Sequence, residues 1–221
     1  MLDWSTLRAT APPPPRIPTG LRPLDAALGG GLVPGETVLL AGDPGAGKST
    51  LLLQVAAHLG NAVYATAEER AFMVQGRAQR LGIENAEVRL AVGGDIARLL
   101  EDLAALKQPP AFLVIDSVQA FYDPACRSQP GTPNACRAVL ARIIAYAARM
   151  NVPTVIVCQI TKGNIAAGPK AMEHAVDASL HLSSFRALTD HRALRTDKNR
   201  YGPAGGTEVL QMTAAGLVTL R

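Results

Sequence analysis

The run Gly42-Asp43-Pro44-Gly45-Ala46-Gly47-Lys48-Ser49-Thr50 constrains this chain more than any other stretch. It fits G-x-x-x-x-G-K-[ST], a pattern whose glycines let successive backbone N–H groups close around phosphate oxygens. Its flanks separate a binding site from a glycine-rich turn. Residues 37–41 are a strand-like apolar run, and residues 51–57 have helix-forming composition. Strand, glycine loop and helix in that order set a phosphate against a helix N-terminus, where unpaired amides and the helix dipole favour negative charge. Lys48 is then poised to reach the β and γ phosphates, and the Ser49 hydroxyl to ligate Mg²⁺. ATP and Mg²⁺ are the expected cofactors, and Gly42 through Thr50 the nucleotide cradle.

Around this loop the chain alternates strand-like and helix-like segments. Strands are expected at residues 62–66, 87–92, 111–115 and 154–159. Helices are expected at 22–28, 69–81, from an Asp95 cap to 107, and at 135–150. The third of these carries Ile96, Leu99, Leu100, Leu103 and Leu106 at helical spacing. Such alternation predicts a parallel sheet wrapped on both faces by right-handed crossovers. Beyond residue 177 the pattern changes to short strands near 177–183, 191–197, 207–212 and 216–220, the style of antiparallel additions. The expected fold is α/β: a mainly parallel central sheet with helices on both faces and antiparallel C-terminal strands.

With 221 residues, 48% of them hydrophobic, the chain can build one substantial core. That domain is expected to span residues 17–221. Residues 1–16 read as a leader, stiffened by Pro12 to Pro15 and carrying the lone tryptophan, Trp4. Trp4 is expected to pack locally; the sharper alternative docks it on a neighbouring subunit.

In open α/β sheets ligands bind at the carboxyl ends of the strands. Lys48, Glu68, Asp116 and Gln159 all fall where a strand meets its following loop. Asp116 follows Phe112-Leu113-Val114-Ile115, the form of a Walker B carboxylate that holds Mg²⁺ through water. Glu68 and Glu69 close the strand expected to neighbour this region, and a carboxylate there can orient or deprotonate an attacking water. Spacing does not choose between them, although Glu69 better fits a helix N-terminal acid.

The net charge of +4 permits an anionic partner without demanding one. Cys126, Cys136 and Cys158 show no C-x-x-C spacing, so no zinc site is implied and reduced thiols are expected. Met1-Leu2-Asp3-Trp4 lacks the start of a signal peptide, and no apolar stretch approaches membrane-spanning length. A cytoplasmic location is expected, with no membrane partner. His174 and His181 have no metal-like partners and read as structural or surface residues.

The chain resembles the ATPase core of the bacterial RadA (Sms) recombination proteins, a branch of the RecA superfamily. The stretches that carry the likeness start with Pro18-Thr19-Gly20, Leu24-Asp25 and 28–35. They continue through the P-loop with 51–56, Glu68-Glu69, 77–82, Thr161-Lys162, 167–169 and 173–178, and end at Lys198-Asn199-Arg200-Tyr201-Gly202. The last is similar to the family's Lys-Asn-Arg-Phe-Gly signature, with Tyr201 in place of Phe. The resemblance implies Glu68 as catalytic glutamate, Lys48 and Ser49 on nucleotide and Mg²⁺, and Asp116 as Walker B. It also implies that Lys198 and Arg200 reach the γ-phosphate held by an adjacent subunit of a head-to-tail homo-oligomer, ring or filament. Gln159 occupies the position of a γ-phosphate sensor; RadA usually has Gly-His at residues 158–159, so this residue departs towards RecA itself. The loops 123–134 and 161–170 match places where RecA-like proteins contact single-stranded DNA. Arg127, Lys162 and Lys170 are the candidate phosphate contacts, and Phe121 and Tyr122 the nearby aromatics. RadA also carries a four-cysteine zinc module and a Lon-like domain, neither of which occurs within these residues, so a minimal RadA-like ATPase is expected. Its expected role is ATP-dependent DNA recombination or repair on single-stranded DNA. The alternative is an ATP-gated assembly or signalling protein of the KaiC-like kind, acting with a protein partner.

Overall fold

In the computed structural model, residues 15–159, 169–185 and 187–220 are described. Strand β1 (Thr37–Gly42) is buried along its whole length and runs into the P-loop. Helix α2 (Lys48–Leu59) leaves from that loop. Then come β2 (Ala62–Thr66), α3 (Ala71–Arg80), β3 (Val88–Val92), α4 (Ile96–Ala104), β4 (Phe112–Asp116), α5 (Pro133–Met150) and β5 (Thr154–Gln159). A short helix α1 (Arg22–Ala27) precedes β1, and α6 (Pro169–Glu173) follows β5. The chain continues with β6 (Ala178–Ser184), β7 (His191–Asn199), β8 (Thr207–Thr213) and β9 (Gly216–Thr219).

The described strands form one sheet in the order β3-β2-β4-β5-β1-β6-β7-β8-β9. From β3 to β6 the pairing is parallel; from β6 to β9 it is antiparallel. The expected mixed sheet is therefore present. Side-chain alternation along the buried strands feeds two cores. Val38, Leu40, Tyr64 and Val114 pack with α2 on one face, while Leu39, Val63, Leu113 and Ile115 pack with α4 and α5 on the other. Burial on both faces explains why these strands read as continuous apolar runs.

Element ends follow local chemistry, and several differ from expectation. Asp95 caps α4 as predicted, its Oδ1 accepting from Arg98 N at 3.1 Å, but the helix stops at Ala104 rather than 107. Helix α5 starts two residues early, because Thr132 caps it and Pro133 occupies its first position. Helix α3 begins at Ala71, so Glu69 lies before it rather than in its first turn. Part of the stretch expected to be loop up to 170 is α6. Phe121 is 1% exposed and packs in the core, so it is not a surface aromatic; Tyr122 is exposed. Trp4 and Pro12 to Pro14, and most of the 161–170 loop including Lys162, lie outside the described residues.

Candidate active site

The P-loop closes at the carboxyl end of β1. Gly42 has φ 151°, and a Cβ on it would stand 2.0 Å from the Leu182 carbonyl oxygen of β6. Gly47 has φ 103°, and its Cβ would meet Met212 Cε at 2.5 Å. Only glycine permits both the turn and the close strand packing. At Gly45 (φ 76°) a Cβ would meet nothing within 4 Å, which leaves the middle of the loop open. Lys48 Nζ donates to the Gly42 and Asp43 carbonyls at 2.8 and 2.9 Å. Burial pushes this ammonium down from its usual range, and the negative charges of Asp116 and Asp43 pull it back up. A cation held over the loop in this way is poised for phosphate oxygens.

Asp116 ends β4 and is 4% exposed. Its Oδ2 accepts from the Tyr64 hydroxyl of β2. Burial, then the Asp116 charge, hold the Tyr64 phenol well above its usual range, so it stays a donor. Ser49, at the start of α2, acts on the same phenol and opposes that rise. Ser49 and Asp116 thus supply a hydroxyl and a carboxylate beside the loop. That hard-oxygen donor set fits Mg²⁺, whose remaining ligands are ordinarily water and nucleotide phosphate.

The two glutamates have different surroundings. Glu69 forms a bidentate pair with Arg77 of α3, at 2.6 and 2.8 Å. Glu68 is gripped at both oxygens by polar side chains: Ser117 Oγ donates to Oε1, and Gln159 Nε2 donates to Oε2 at 2.5 Å. Glu68, Asp116, Gln159 and Lys48 therefore converge at one end of the sheet from β2, β4, β5 and the P-loop.

Lys198 and Arg200 are elsewhere. β7 runs antiparallel to β6, with Asn199 opposite Ala178, which in turn pairs with Val38 near the start of β1. Both cations lie at the end of the strands opposite the P-loop of their own chain. Lys198 Nζ donates to the carbonyls of Glu173, His174 and Val176 at 2.8, 3.2 and 2.6 Å. Arg200 pairs with Asp177 at 3.2 Å, and the other oxygen of Asp177 accepts from Thr37 N and Oγ1.

Several residues at the site carry no motif signal. Arg192 of β7 is 8% exposed and donates from Nε to the Ala46 carbonyl in the P-loop at 2.9 Å, and from Nη1 to the Thr189 and His191 carbonyls. Tyr64, Ser117 and Gln119 likewise surround the site. Their roles depend on which strands adjoin, information that only the sheet order supplies.

The AAA domain family matches residues 6–164. The DNA repair protein RadA of Aquifex aeolicus is 40% identical over 205 residues, covering 91% of this chain and 46% of that protein. The RadA of Haemophilus influenzae is 38% identical over 206 residues, covering 92% and 44%. The chain spans about half the length of the curated relatives it matches. Among solved structures, the RadB recombinase superposes with a TM-score of 0.72 at 21% identity, over 92% of this chain and 99% of that one. A KaiC-like protein from Pyrococcus horikoshii gives 0.76 at 21% identity, over 95% and 100%. These two share the fold. Together with the P-loop geometry, the matches show that the chain belongs to the AAA domain family; it is similar to the RadA proteins over about half of their length and shares its fold with the RadB and KaiC-like structures.

Proposed function

We propose that this chain is a Mg²⁺-dependent ATPase acting on single-stranded DNA in recombination or repair, with its active site completed between subunits of a head-to-tail homo-oligomer. The observation that carries the reading is the placement of Lys198 and Arg200. They sit at the opposite end of the strands from their own P-loop, so within one chain they serve no phosphate. A repeated head-to-tail contact would bring this end of one subunit to the P-loop end of the next, the heterologous arrangement that generates rings or filaments.

In this mechanism the P-loop amides and Lys48 hold the triphosphate. Ser49 and Asp116 would hold Mg²⁺, which neutralises charge on the phosphate oxygens. Glu68, oriented by Ser117 and Gln159, aligns a water for in-line attack on the γ-phosphorus and accepts its proton. The bond between that phosphorus and the β-bridging oxygen breaks, and ADP and phosphate leave. Lys198 and Arg200 of the adjacent subunit stabilise the charge that develops on the transferring group. Gln159 links the attacking-water residue to the end of β5, where it can report the γ-phosphate to the segment that follows.

Exposed Arg127 lies in the loop after β4, at the same end of the sheet as the site, and exposed Tyr122 precedes it in the same connection. Exposed Lys170 is the second residue of α6, after the second loop. The test is steady-state ATP turnover with and without single-stranded DNA, over a range of salt and protein concentrations. Stimulation that weakens steeply with salt is expected, because phosphate contacts release counterions. A flat response at low salt would remove the DNA claim and favour ATP-gated assembly with a protein partner.

A further inference from the structure

The end of β5 is held in an unusual way. β4 and β5 pair through Leu113–Thr154, Val114–Val155 and Ile115–Ile156, short of the end of β5. β1 continues alongside β5 to Gln159, paired with Gly42. On the β4 side, the chain after Asp116 turns away, with Ala120 N bonded to the Ser117 carbonyl. The last residues of β5 would then lack ladder partners on that side.

Two groups from the turn take over. Val118 N donates to the Val157 carbonyl at 3.0 Å. The Gln119 side chain then grips the main chain of Gln159 at two points. Nε2 donates to the Gln159 carbonyl at 2.9 Å, and Oε1 accepts from Gln159 N at 3.3 Å. A carboxamide has the donor and acceptor pattern of a peptide group, so Gln119 acts as a stand-in strand residue. Nε2 also lies 3.2 Å from Cys158 Sγ, and burial pushes that thiol up to about 11, so it remains a neutral partner. Gln159, fixed in this way, reaches Glu68 Oε2. The path from Gln119 to Glu68 is thus two successive hydrogen-bonded contacts.

We infer that Gln119 is a positioning residue for ATP hydrolysis: it fixes the backbone of Gln159 and thereby the orientation of the Glu68 carboxylate. This rests on the reading of Glu68 as the group that aligns the attacking water. Gln119 touches neither nucleotide nor water in this account, so its effect must pass through Gln159.

The experiment is a double-mutant cycle on the full chain, with ATP turnover, ATP KM, mant-ADP affinity and thermal melting measured for each protein. Gln119→Ala is expected to lower kcat roughly tenfold, the scale of one or two lost hydrogen bonds expressed in the barrier. KM and mant-ADP affinity should hold. Gln119→Glu keeps an acceptor but loses the donor, and should fall with Gln119→Ala. In a Gln159→Ala background, Gln119→Ala should cost nothing further. An equal loss in both backgrounds, or a loss confined to KM or to melting temperature, would overturn the inference. Glu68→Gln runs alongside: if it retains turnover, the reading of Glu68 fails and the inference with it. If it abolishes turnover while Gln119→Ala has no effect, the inference alone fails.

Discussion

The Arg192 guanidinium donates to the Ala46 carbonyl at 2.9 Å, tying β7 to the P-loop. The antiparallel extension therefore does more than lengthen the sheet. The strand that buttresses the P-loop at Arg192 also carries Lys198, six residues along, to the opposite end of the sheet. Arg192→Met keeps the aliphatic bulk and removes the donors. It is expected to weaken Mg-ADP binding about tenfold and to cost about 2 kcal/mol of stability, as buried carbonyls lose a charged partner. Calorimetric titration and urea unfolding measure both. Unchanged ADP affinity would mean that the loop holds its shape unaided.

The two adjacent glutamates should separate cleanly. Glu68→Gln is expected to reduce kcat by about a hundredfold or more while mant-ADP binding persists, the range of a lost general base. Glu69→Gln breaks the bidentate pair with Arg77 and should act mainly on stability, by about 1 kcal/mol for a partly exposed pair. Single-turnover assays with thermal melts distinguish the two. Equal catalytic losses would contradict the assignment.

Glu36 predicts a pH dependence. Its side chain is 0% exposed; Oε2 accepts from Val33 N at 2.8 Å, while Oε1 has no partner among the described residues. Burial raises this carboxyl to about 7, against the lowering effects of the Val33 amide and Arg16. Because the folded pKa lies above the unfolded one, the folded state binds the extra proton between them. The contribution to stability is complete below about pH 4.5 and is lost as pH rises through about 7, on the order of 3 kcal/mol over the window. Glu36→Gln mimics the protonated acid and should flatten that decline. Urea midpoints from pH 5 to 8 test this: a parent and variant with parallel profiles would show that Glu36 does not carry the dependence.

Much of this organisation was legible in the chain. The P-loop and Asp116 could be located because each combines a specific residue type with a strand-to-loop position, whereas Glu68 and Glu69 share such a position and only the family resemblance set Glu68 apart. The buried parallel strands announced themselves as apolar runs. Helix α6 could not be read, since five residues beginning at Pro169 give no periodicity. Arg192 and Gln119 were equally silent: each acts on a strand distant in sequence, Arg192 across 146 positions to Ala46 and Gln119 across 40 to Gln159. Phe121 misled because an aromatic beside a loop can face the core as readily as the solvent.

The measurement that tests the central claim most directly is subunit mixing. Lys48→Ala carries an intact Lys198 and a disabled P-loop; Lys198→Ala carries the reverse. Each alone should turn over ATP slowly. Mixed at equal amounts under conditions that allow subunit exchange, they should recover about a quarter of parent turnover, the share of correctly paired contacts in a random head-to-tail assembly. A mixture that shows only the sum of its two inactive components would contradict completion of the site in trans.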